Sequence, residues 1–316
     1  MKTNRYLVYA ARNFWLWFWQ KLMDGFAPSD KDGNYKRPKG LIFDNNFKIN
    51  FNGNESFYLL VGSACPWCHR TLIVTELKQL SKVKKIYLKP NFKNGEWIFD
   101  ENFYGIKSLT DLYTKTNKKK VLRATLPVLI KASHKKLEII SNESSEIIEI
   151  LNLNSNNYQV KQIQFESCQN DFLNKIHNQI NNGVYKCGFA RNQESYLNAS
   201  NKLFETLKEI DQLIKKSEGP WIFGDKLTYA DIYLFPTVIR WELIYSKIFK
   251  CTEKELSEFK NILEWRYKFF CLKGIAETCF DNDWVQDYYK GLFPLNPNQI
   301  VPIQPKLKEI LKRNLT

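Results

Sequence analysis

The feature that most constrains the fold is a short apolar run that leads directly into a Cys-Pro-Trp-Cys sequence. Residues 57–61 (FYLLV) have the length and composition of a buried β-strand. Residues 65–68 (CPWC) then open a segment whose apolar residues recur at helical spacing, at Ile73, Val74, Leu77 and Leu80. Proline is favoured in the first turn of a helix, because its missing N–H would have no partner there. The sequence therefore predicts a strand, a tight turn and a helix that begins beside Cys65.

The segments that follow predict the rest of an α/β unit. Residues 83–88 are a second strand candidate, and residues 127–130 and 137–140 are two more, joined by a Lys-rich turn. Residues 146–153 have the pattern of a helix. A strand, helix and strand followed by a hairpin and a helix is the order of a thioredoxin-like domain.

Beyond an Asn-rich segment at 152–158 the pattern changes to helices. Apolar stripes recur at Phe165, Phe172, Leu173, Ile176 and Ile180, and at Leu203, Phe204, Leu207, Ile210, Leu213 and Ile214. Thr228 with Asp231, and Thr252 with Glu255, have the form of helix capping boxes. We predict an α/β thioredoxin-like N-terminal domain and an all-α C-terminal domain. Their predicted bounds are an N-terminal extension at 1–40, the thioredoxin-like domain at 41–155 and the helical domain at 156–316.

Composition excludes several classes of protein. The 47 Lys and Arg against 33 Asp and Glu give a net charge of +14, but the excess is scattered, and its densest run, at 118–120, has no interleaved aromatic residues. Nucleic-acid binding through stacked bases would need such residues, so we expect no nucleic-acid partner. No stretch is long and apolar enough to span a membrane, and we expect no membrane partner.

Seven cysteines do not suit a disulfide framework. We expect a cytoplasmic protein, with a plastid or a mitochondrion as open alternatives.

The first 23 residues contain no acidic residue and include an aromatic cluster at 14–19 (FWLWFW). A basic, acid-poor start is compatible with a transit peptide or with a helix that binds a surface. The segment has almost no serine, which argues against a transit peptide. We expect the aromatic rings to pack onto the body of the protein. Residues 31–39 have the composition of a linker.

The chemistry that the sequence predicts is centred on Cys65. The N–H groups and the positive dipole end of a helix favour a thiolate at this position, and a low thiol pKa makes cysteine a nucleophile. Cys68 lies three residues on, on the same side of the first turn, and is either a second active thiol or a small packing residue. The chain has only three histidines and no second Cys/His pair, so we expect no metal site. For His69 we favour a structural role.

Two further segments have the form of a binding site. Pro127 precedes a strand at the point where thioredoxin-like folds have a cis proline that presents the preceding backbone to a ligand. Residues 142–146 (NESSE) lie where a helix begins, and they either cap that helix or hold the γ-glutamyl end of glutathione. The two interpretations of this segment are compatible.

The sequence resembles the Xi class of glutathione transferases, the glutathionyl-hydroquinone reductases. The matching blocks are ACPWCHRTLI at 64–73, RATLPVL at 123–129, NESSEII at 142–148, NNGVYKCGFA at 181–190, LTYADIYLFPTVIRWELIY at 227–245 and DYYKGLFPLNPNQIVP at 287–302. The last three blocks go beyond a general glutathione-transferase fold. The resemblance implies a glutathione-dependent homodimer that removes glutathione reductively from glutathionyl-hydroquinones.

The resemblance also implies roles for particular residues. Cys65 would attack the glutathionyl sulfur, and the resulting mixed disulfide would react with a second glutathione. Tyr185 matches the proton donor, and Tyr245 and Tyr288 match tyrosines that hydrogen-bond the thiolate, with Tyr288 narrowly preferred to Tyr289. The glutathione-binding set would be Trp97, Arg123, Ala124, Thr125, Leu126, Glu143 and Ser144.

Departures from the family pattern keep alternatives open. Most members have alanine where this chain has Cys68, and a second thiol permits dithiol chemistry of the glutaredoxin or dehydroascorbate reductase kind. A histidine that usually precedes the paired tyrosines is replaced by Asp287, and residues 290–293 (KGLF) replace a Ser-His sequence after them. This puts the quinol specificity in question. A third alternative is a non-catalytic assembly module with the same fold.

Overall fold

The structure is a computed structural model, and it describes residues 4–37, 55–116, 124–133, 136–153 and 167–313. Arg123, the basic run at 118–120 and both domain boundaries predicted above lie outside these residues. The boundaries remain predictions.

The first half contains a mixed sheet of six strands. Their bounds are β1 Ser56–Val61, β2 Val83–Asn91, β3 Glu96–Phe103, β4 Ile106–Ser108, β5 Val128–Ser133 and β6 Lys136–Ser141. The spatial order is β4-β3-β2-β1-β5-β6. β1 and β2 are parallel, and every other neighbouring pair is antiparallel. The four strands predicted from the sequence form one side of this sheet, and the thioredoxin-like fold class is confirmed.

The segment between β2 and β5 extends the sheet. It forms β3 and β4 against the free edge of β2, and then a short helix, α3 Leu109–Thr116. No strand or helix is predicted from the sequence for this segment. Buried and exposed residues do not alternate regularly along β3, because most of that strand is exposed or half-buried. The period-two pattern of a half-buried strand is therefore faint in the sequence.

The helices α2 Pro66–Leu77 and α4 Ser144–Leu153 pack on the sheet. The helix α1 Arg5–Phe26 instead contacts the helical half through its last turns. Every residue of α2 except Glu76 is buried, because α2 lies between α4 and the helical half of the chain. This interior position buries even the polar residues His69, Arg70 and Thr71 of the helix.

The second half is helical over the residues that the structure describes. The helices are α5 Ser167–Lys175, α6 Gly183–Phe189, α7 Gln193–Lys216, α8 Tyr229–Val238, α9 Lys260–Phe270, α10 Asp281–Gly291 and α11 Leu307–Arg313. Two π-helical turns, Ile176–Asn181 and Trp241–Tyr245, precede α6 and follow α8. The all-α prediction for this half is confirmed.

One of the two predicted capping boxes is present. Asp231 accepts a hydrogen bond from the Thr228 N–H (2.9 Å) at the start of α8, and its carboxylate also accepts from the Trp265 indole N–H (2.8 Å). The prediction at Thr252 is wrong, since no helix begins there. Glu255 and Glu258 instead cap a single 3-10 turn. A threonine and a glutamate at capping-box spacing are therefore not sufficient to start a helix.

The expectation for the aromatic N-terminus is also wrong within this chain. Phe14, Trp15, Trp17 and Phe18 lie on α1 but remain exposed. Their rings contact one another along the helix, as in the Phe14–Trp17 pair with centroids 6.1 Å apart. Only the last part of α1 reaches the body, where the Trp19 indole N–H donates to the Pro294 carbonyl (2.9 Å). A straight helix advances about 1.5 Å per residue, so its earlier turns project past the surface on which its end rests.

No helix among the described residues is long and apolar enough to cross a membrane.

Candidate active site

Cys65 is the residue that precedes the first turn of α2. Its N–H donates to the Gly62 carbonyl (3.1 Å), and its own carbonyl accepts from the His69 N–H (3.0 Å). Pro66 occupies the first helical position, where it costs no hydrogen bond. Cys65 is half-buried, so its thiol is accessible and is held at the positive end of the helix dipole.

The surroundings of Cys65 stabilise the thiolate. Its pKa is lowered from 9.0 to about 7, and the largest cause is a hydrogen bond from the Cys68 thiol. Burial opposes the shift, while the backbone N–H groups of Cys68 and Trp67 and the charge of Arg37 favour it. A large fraction of Cys65 is therefore thiolate near neutral pH, as a nucleophilic cysteine requires.

Trp97, one of the predicted glutathione-binding residues, lies against the loop that leads to Cys65. A Cβ built on Gly62 would stand 2.6 Å from the Trp97 ring, so the ring reaches its position only because residue 62 is glycine. Trp97 does not line the large cavity described next.

A cavity of about 900 Å³ opens beside the start of α2. Four residues of the predicted glutathione-binding set line it: Thr125, Leu126, Glu143 and Ser144. The Leu126–Pro127 peptide bond is cis, as predicted. Ala124 lies one residue outside the lining, and Arg123 lies outside the described residues. Ligand sites in proteins have volumes of roughly 300–1,000 Å³, so the cavity has the size of a site for a tripeptide.

A buried tyrosine that the sequence analysis did not identify connects the two walls of this cavity. The Tyr113 hydroxyl donates to the Thr125 carbonyl (3.1 Å) and accepts from the Asn142 side-chain amide (2.9 Å). Burial raises the pKa of Tyr113 to about 12, so the phenol remains neutral. These bonds fix the segment before Pro127 relative to the start of α4, where Glu143 and Ser144 lie.

Two arginines flank the Trp67 ring on the cavity wall. The guanidinium carbon of Arg37 is 3.7 Å from the ring centroid and that of Arg70 is 4.5 Å from it. Arg70 is fully buried and hydrogen-bonds the side-chain carbonyl of Asn181. The two cations give this side of the cavity a positive potential that suits an anionic ligand. Arg70 follows the cysteine motif directly, whereas nothing in the sequence points to Arg37.

Arg37 reaches the site because the segment before it folds back. Ser29 and Tyr35 pair as an isolated antiparallel bridge. The intervening turn is held by α7 and the residues before it, since the Gly33 carbonyl accepts from the Arg191 N–H (3.1 Å) and the Asp32 carbonyl accepts from the Asn192 amide (2.9 Å). Interpreting this segment as a linker is wrong for residues 31–37, because the turn is hydrogen-bonded to the helical half and residues 35–37 line the cavity.

The three predicted tyrosines come together in the helical half. The hydroxyl oxygens of Tyr185 and Tyr288 are 2.6 Å apart, and those of Tyr245 and Tyr288 are 3.3 Å apart. Tyr289 points elsewhere, and its hydroxyl donates to the Leu243 carbonyl (3.5 Å). The structure therefore distinguishes Tyr288 from Tyr289, which the sequence could not do.

The two π-helical turns help to bring this cluster together. Tyr245 is the last residue of the turn Trp241–Tyr245, and Tyr185 lies in α6 directly after the turn Ile176–Asn181. A π-helical turn inserts an extra residue, which rotates the side chains that follow. Such turns have no sequence signature in this chain, so the analysis above did not anticipate them.

Burial keeps the tyrosines protonated. It is the first cause that raises the pKa of Tyr185, and the neighbouring tyrosines raise it further. Burial also raises the pKa of Tyr245, and the negative charge of Cys65 adds to this, while Arg240 lowers it. The cluster is thus a neutral hydrogen-bond network within electrostatic range of the thiolate.

His69 has the structural role that we favoured. Its Nδ1 lies 2.8 Å from Nη1 of Arg240 and its Nε2 lies 2.9 Å from the Thr278 hydroxyl. Arginine can only donate, so Nδ1 accepts and Nε2 carries the proton. Burial, followed by the charge of Arg240, holds the pKa of His69 well below its usual value. The ring is a neutral connector between α2 and the helical half.

Within the described residues, no group of three or more His, Cys, Asp or Glu side chains is arranged to hold a metal ion.

A thioredoxin-like sheet with a cysteine at the start of its first helix, followed by an all-helical half, is the architecture of a glutathione transferase. The family model for the glutathione S-transferase N-terminal domain matches residues 64–153, and that for the C-terminal domain matches residues 193–266.

Individual relatives narrow this class. The chain is 33% identical over 269 residues to the glutathionyl-hydroquinone reductase YqjG of Escherichia coli, covering 79% of this chain and 80% of that protein. It is also 33% identical over 265 residues to the glutathionyl-hydroquinone reductase PcpF of Sphingobium chlorophenolicum, covering 79% and 82%. The crystal structure of glutathione-S-transferase Xi from Phanerochaete chrysosporium superposes with a TM-score of 0.76 at 29% identity over 88% of this chain and 94% of that one.

The chain belongs to the Xi class of glutathione transferases, the family of the glutathionyl-hydroquinone reductases, and it is a glutathione-dependent enzyme. A solved structure of YqjG contains bound glutathione, which supports glutathione as the ligand of the fold.

Proposed function

We propose that this enzyme removes glutathione reductively from glutathionyl-hydroquinones through a Cys65–glutathione mixed disulfide. The observation that carries the proposal is the pairing of a thiol whose pKa is about 7 with a network of neutral tyrosines in electrostatic range of it. Thiol attack on a carbon-bound sulfur needs both a thiolate and a source of protons.

In the first step the Cys65 thiolate attacks the sulfur of the glutathionyl group. A Cys65–glutathione disulfide forms and the bond between sulfur and the aromatic carbon breaks. The electron pair of that bond goes to the carbon, which is reduced, while the two sulfurs are oxidised. The low pKa of Cys65 supplies the thiolate without an adjacent base, which agrees with the structural role of His69.

Tyr185 then supplies the proton that the carbon needs. The 2.6 Å hydrogen bond to Tyr288 supports this role, because a phenolate left on Tyr185 would be stabilised by that hydroxyl. The charge of Arg240 favours the ionised forms of Tyr245 and Tyr288, so it stabilises negative charge that reaches these two tyrosines. Burial excludes competing water.

Glutathione is the reductant of the second step. Its thiolate attacks the mixed disulfide, glutathione disulfide leaves and the Cys65 thiolate returns. The cavity lined by Thr125, Leu126, Glu143 and Ser144 supports binding of glutathione beside Cys65. The positive charges of Arg37 and Arg70 suit its carboxylates.

We further propose that the enzyme is a homodimer in the cytoplasm. The dimer follows from the family resemblance alone, and light scattering coupled to gel filtration tests it. The six cysteines whose side chains the structure describes are unpaired thiols, which supports a reducing compartment. Asp287 and residues 290–293 adjoin the tyrosine cluster in sequence, so we expect these departures to influence which quinol is accepted.

The test is glutathione-dependent release of menadiol from glutathionyl-menadiol, followed by chromatography. We expect the wild type to release menadiol and Cys65→Ser to release none, because an alcohol near neutral pH is not a nucleophile towards sulfur. A Cys271→Ser variant is the matched control, since that cysteine is exposed and lies outside the site. Menadiol release by Cys65→Ser at the wild-type rate would refute the proposal.

A further inference from the structure

The reaction proposed above uses one thiol, yet the site contains two. Cys68 lies on the first turn of α2 with its side chain fully buried, three residues after Cys65 and on the same side of the helix start. The Gly62 N–H points at the Cys68 sulfur from the other side (3.4 Å). Two cysteines three residues apart at a helix start are within reach of a disulfide without backbone movement.

The two thiols are electrostatically coupled. Burial raises the pKa of Cys68 well above its ordinary value, and the hydrogen bond to Cys65 and the charge of the Cys65 thiolate raise it further. The Gly62 N–H and the charge of Arg240 lower it. In the resting enzyme Cys68 is therefore a protonated donor that keeps Cys65 ionised.

Attachment of glutathione to Cys65 removes both contributions that come from that residue. A disulfide sulfur carries no negative charge and is a poor acceptor, so the thiolate no longer opposes ionisation of Cys68. The Gly62 N–H and Arg240 remain in place. The same event that converts Cys65 into an electrophile thus makes its neighbour easier to ionise, and the two sulfurs are already adjacent.

We propose that Cys68 is a resolving thiol that converts the Cys65–glutathione disulfide into an internal Cys65–Cys68 disulfide. The Cys68 sulfur loses its proton and attacks the Cys65 sulfur. A bond forms between the two cysteine sulfurs and the bond to glutathione breaks, with its electron pair leaving on the glutathione sulfur, which takes up a proton. Cys68 is oxidised and the glutathionyl group is reduced to glutathione.

This step gives the enzyme a state that responds to the supply of glutathione. The internal disulfide contains no nucleophilic thiolate, so the enzyme in that state is inactive. One glutathione attacks the half-buried Cys65 sulfur, which re-forms the Cys65–glutathione disulfide and frees the Cys68 thiol, whereas buried Cys68 is closed to attack from solvent. A second glutathione then attacks this mixed disulfide and leaves as glutathione disulfide, which restores the Cys65 thiolate. Abundant glutathione keeps the enzyme in its monothiol cycle, and scarce glutathione lets the internal disulfide accumulate.

The inference draws on the proposed function only for the origin of the mixed disulfide, and glutathione disulfide produces the same adduct without any quinol. The experiment therefore treats the reduced protein with one equivalent of glutathione disulfide and measures the intact mass. Cys168 and Cys271 are replaced by serine in every variant, so that adducts at those positions do not obscure the result.

In this background we expect the protein to lose two hydrogens and to carry no glutathione. Adding Cys68→Ser should leave the protein with one glutathione attached, and adding Cys65→Ser should leave it unmodified. Cys68→Ala replaces Cys68→Ser if the serine variant unfolds, and peptide mapping under non-reducing conditions identifies the Cys65–Cys68 link directly.

The proposal is overturned if the protein with both thiols retains the glutathione adduct as completely as Cys68→Ser does. A parallel incubation with glutathionyl-menadiol separates the two proposals. If glutathione disulfide produces the internal disulfide but glutathionyl-menadiol leaves the protein unmodified, the resolving role of Cys68 stands and the quinol reaction fails.

Discussion

The thiols at the start of α2 and the tyrosines of the helical half experience the same burial and respond to it in opposite ways. At Cys65 hydrogen bonds and a nearby cation outweigh burial, and the pKa falls to about 7. At Tyr185 burial dominates and its neighbours add to it, so the pKa rises. The difference shows that local donors, rather than depth in the protein, decide which group is charged. In the proposed reaction, one half of the molecule supplies the anion and the other half supplies the proton.

The largest expected effect comes from removing the proton donor. Tyr185→Phe should slow menadiol release by about 10²–10⁴-fold, the usual contribution of general acid catalysis. Formation of the Cys65 adduct from glutathione disulfide should fall far less, because its leaving group is a thiolate. Steady-state chromatography and intact mass measure the two reactions. Tyr289→Phe is the matched control, since its hydroxyl bonds the Leu243 carbonyl outside the cluster. Equal losses in both reactions would contradict a proton-donor role.

Removing Cys68 should raise the pKa of Cys65 and so reduce the contrast between the thiolate and the neutral tyrosines. Cys68→Ala deletes the largest cause of the low Cys65 pKa, so the midpoint of thiolate formation should rise by about one pH unit or more. Because the thiolate is the reactive form, alkylation by iodoacetamide should slow near neutral pH and approach the wild-type rate at alkaline pH. Thiolate absorbance against pH measures the midpoint, with Cys271→Ala as control. An unchanged midpoint would show that the helix start alone sets the pKa.

A smaller effect is expected at the buried cation between the two regions. Arg240→Met removes a charge that lowers the pKa of Tyr245 and Tyr288 but is not among the causes of the low pKa of Cys65. We expect menadiol release to fall by about fivefold, less than one pKa unit in energy, with the Cys65 midpoint unmoved. Arg240→Lys should recover part of the rate. If the Cys65 midpoint shifted enough to account for the fall in menadiol release, Arg240 would act on the thiol, and the conclusion that it acts only on the tyrosines would be wrong.

The smallest effect is expected at Arg37, on the exposed edge of the cavity. Arg37→Ala removes an exposed cation that contributes to the low Cys65 pKa, and solvent screens such a charge. We expect iodoacetamide alkylation at low salt to slow by about twofold, with the difference disappearing at high salt. Lys36→Ala, one residue earlier and also on the cavity wall, is the control. A large loss that persists at high salt would mean that Arg37 acts through the Trp67 ring instead of through its charge.

Much of the fold and part of the site were predictable because they depend on local chemistry. The strand before Cys65, the Pro66 start of α2 and the capping box at Thr228 are encoded within a few residues of each other. The failures occurred where a local pattern does not decide what the chain does. The capping pattern at Thr252 is the same local pattern without a helix to cap, and the rings at 14–18 carry no information about where the surface beneath α1 ends.

By itself the sequence predicted four of the six strands, the helix that starts beside Cys65 and, through family resemblance, the three tyrosines. Each of these depends on periodicity, on a short motif or on a match of residue blocks. Only the tertiary structure decided that Tyr288 rather than Tyr289 joins Tyr185, that Arg37 and Arg70 flank Trp67, and that Cys68 donates to Cys65. These outcomes depend on contacts between distant segments and on how far a π-helical turn rotates a side chain. The energies of such contacts arise only when the chain has folded around them.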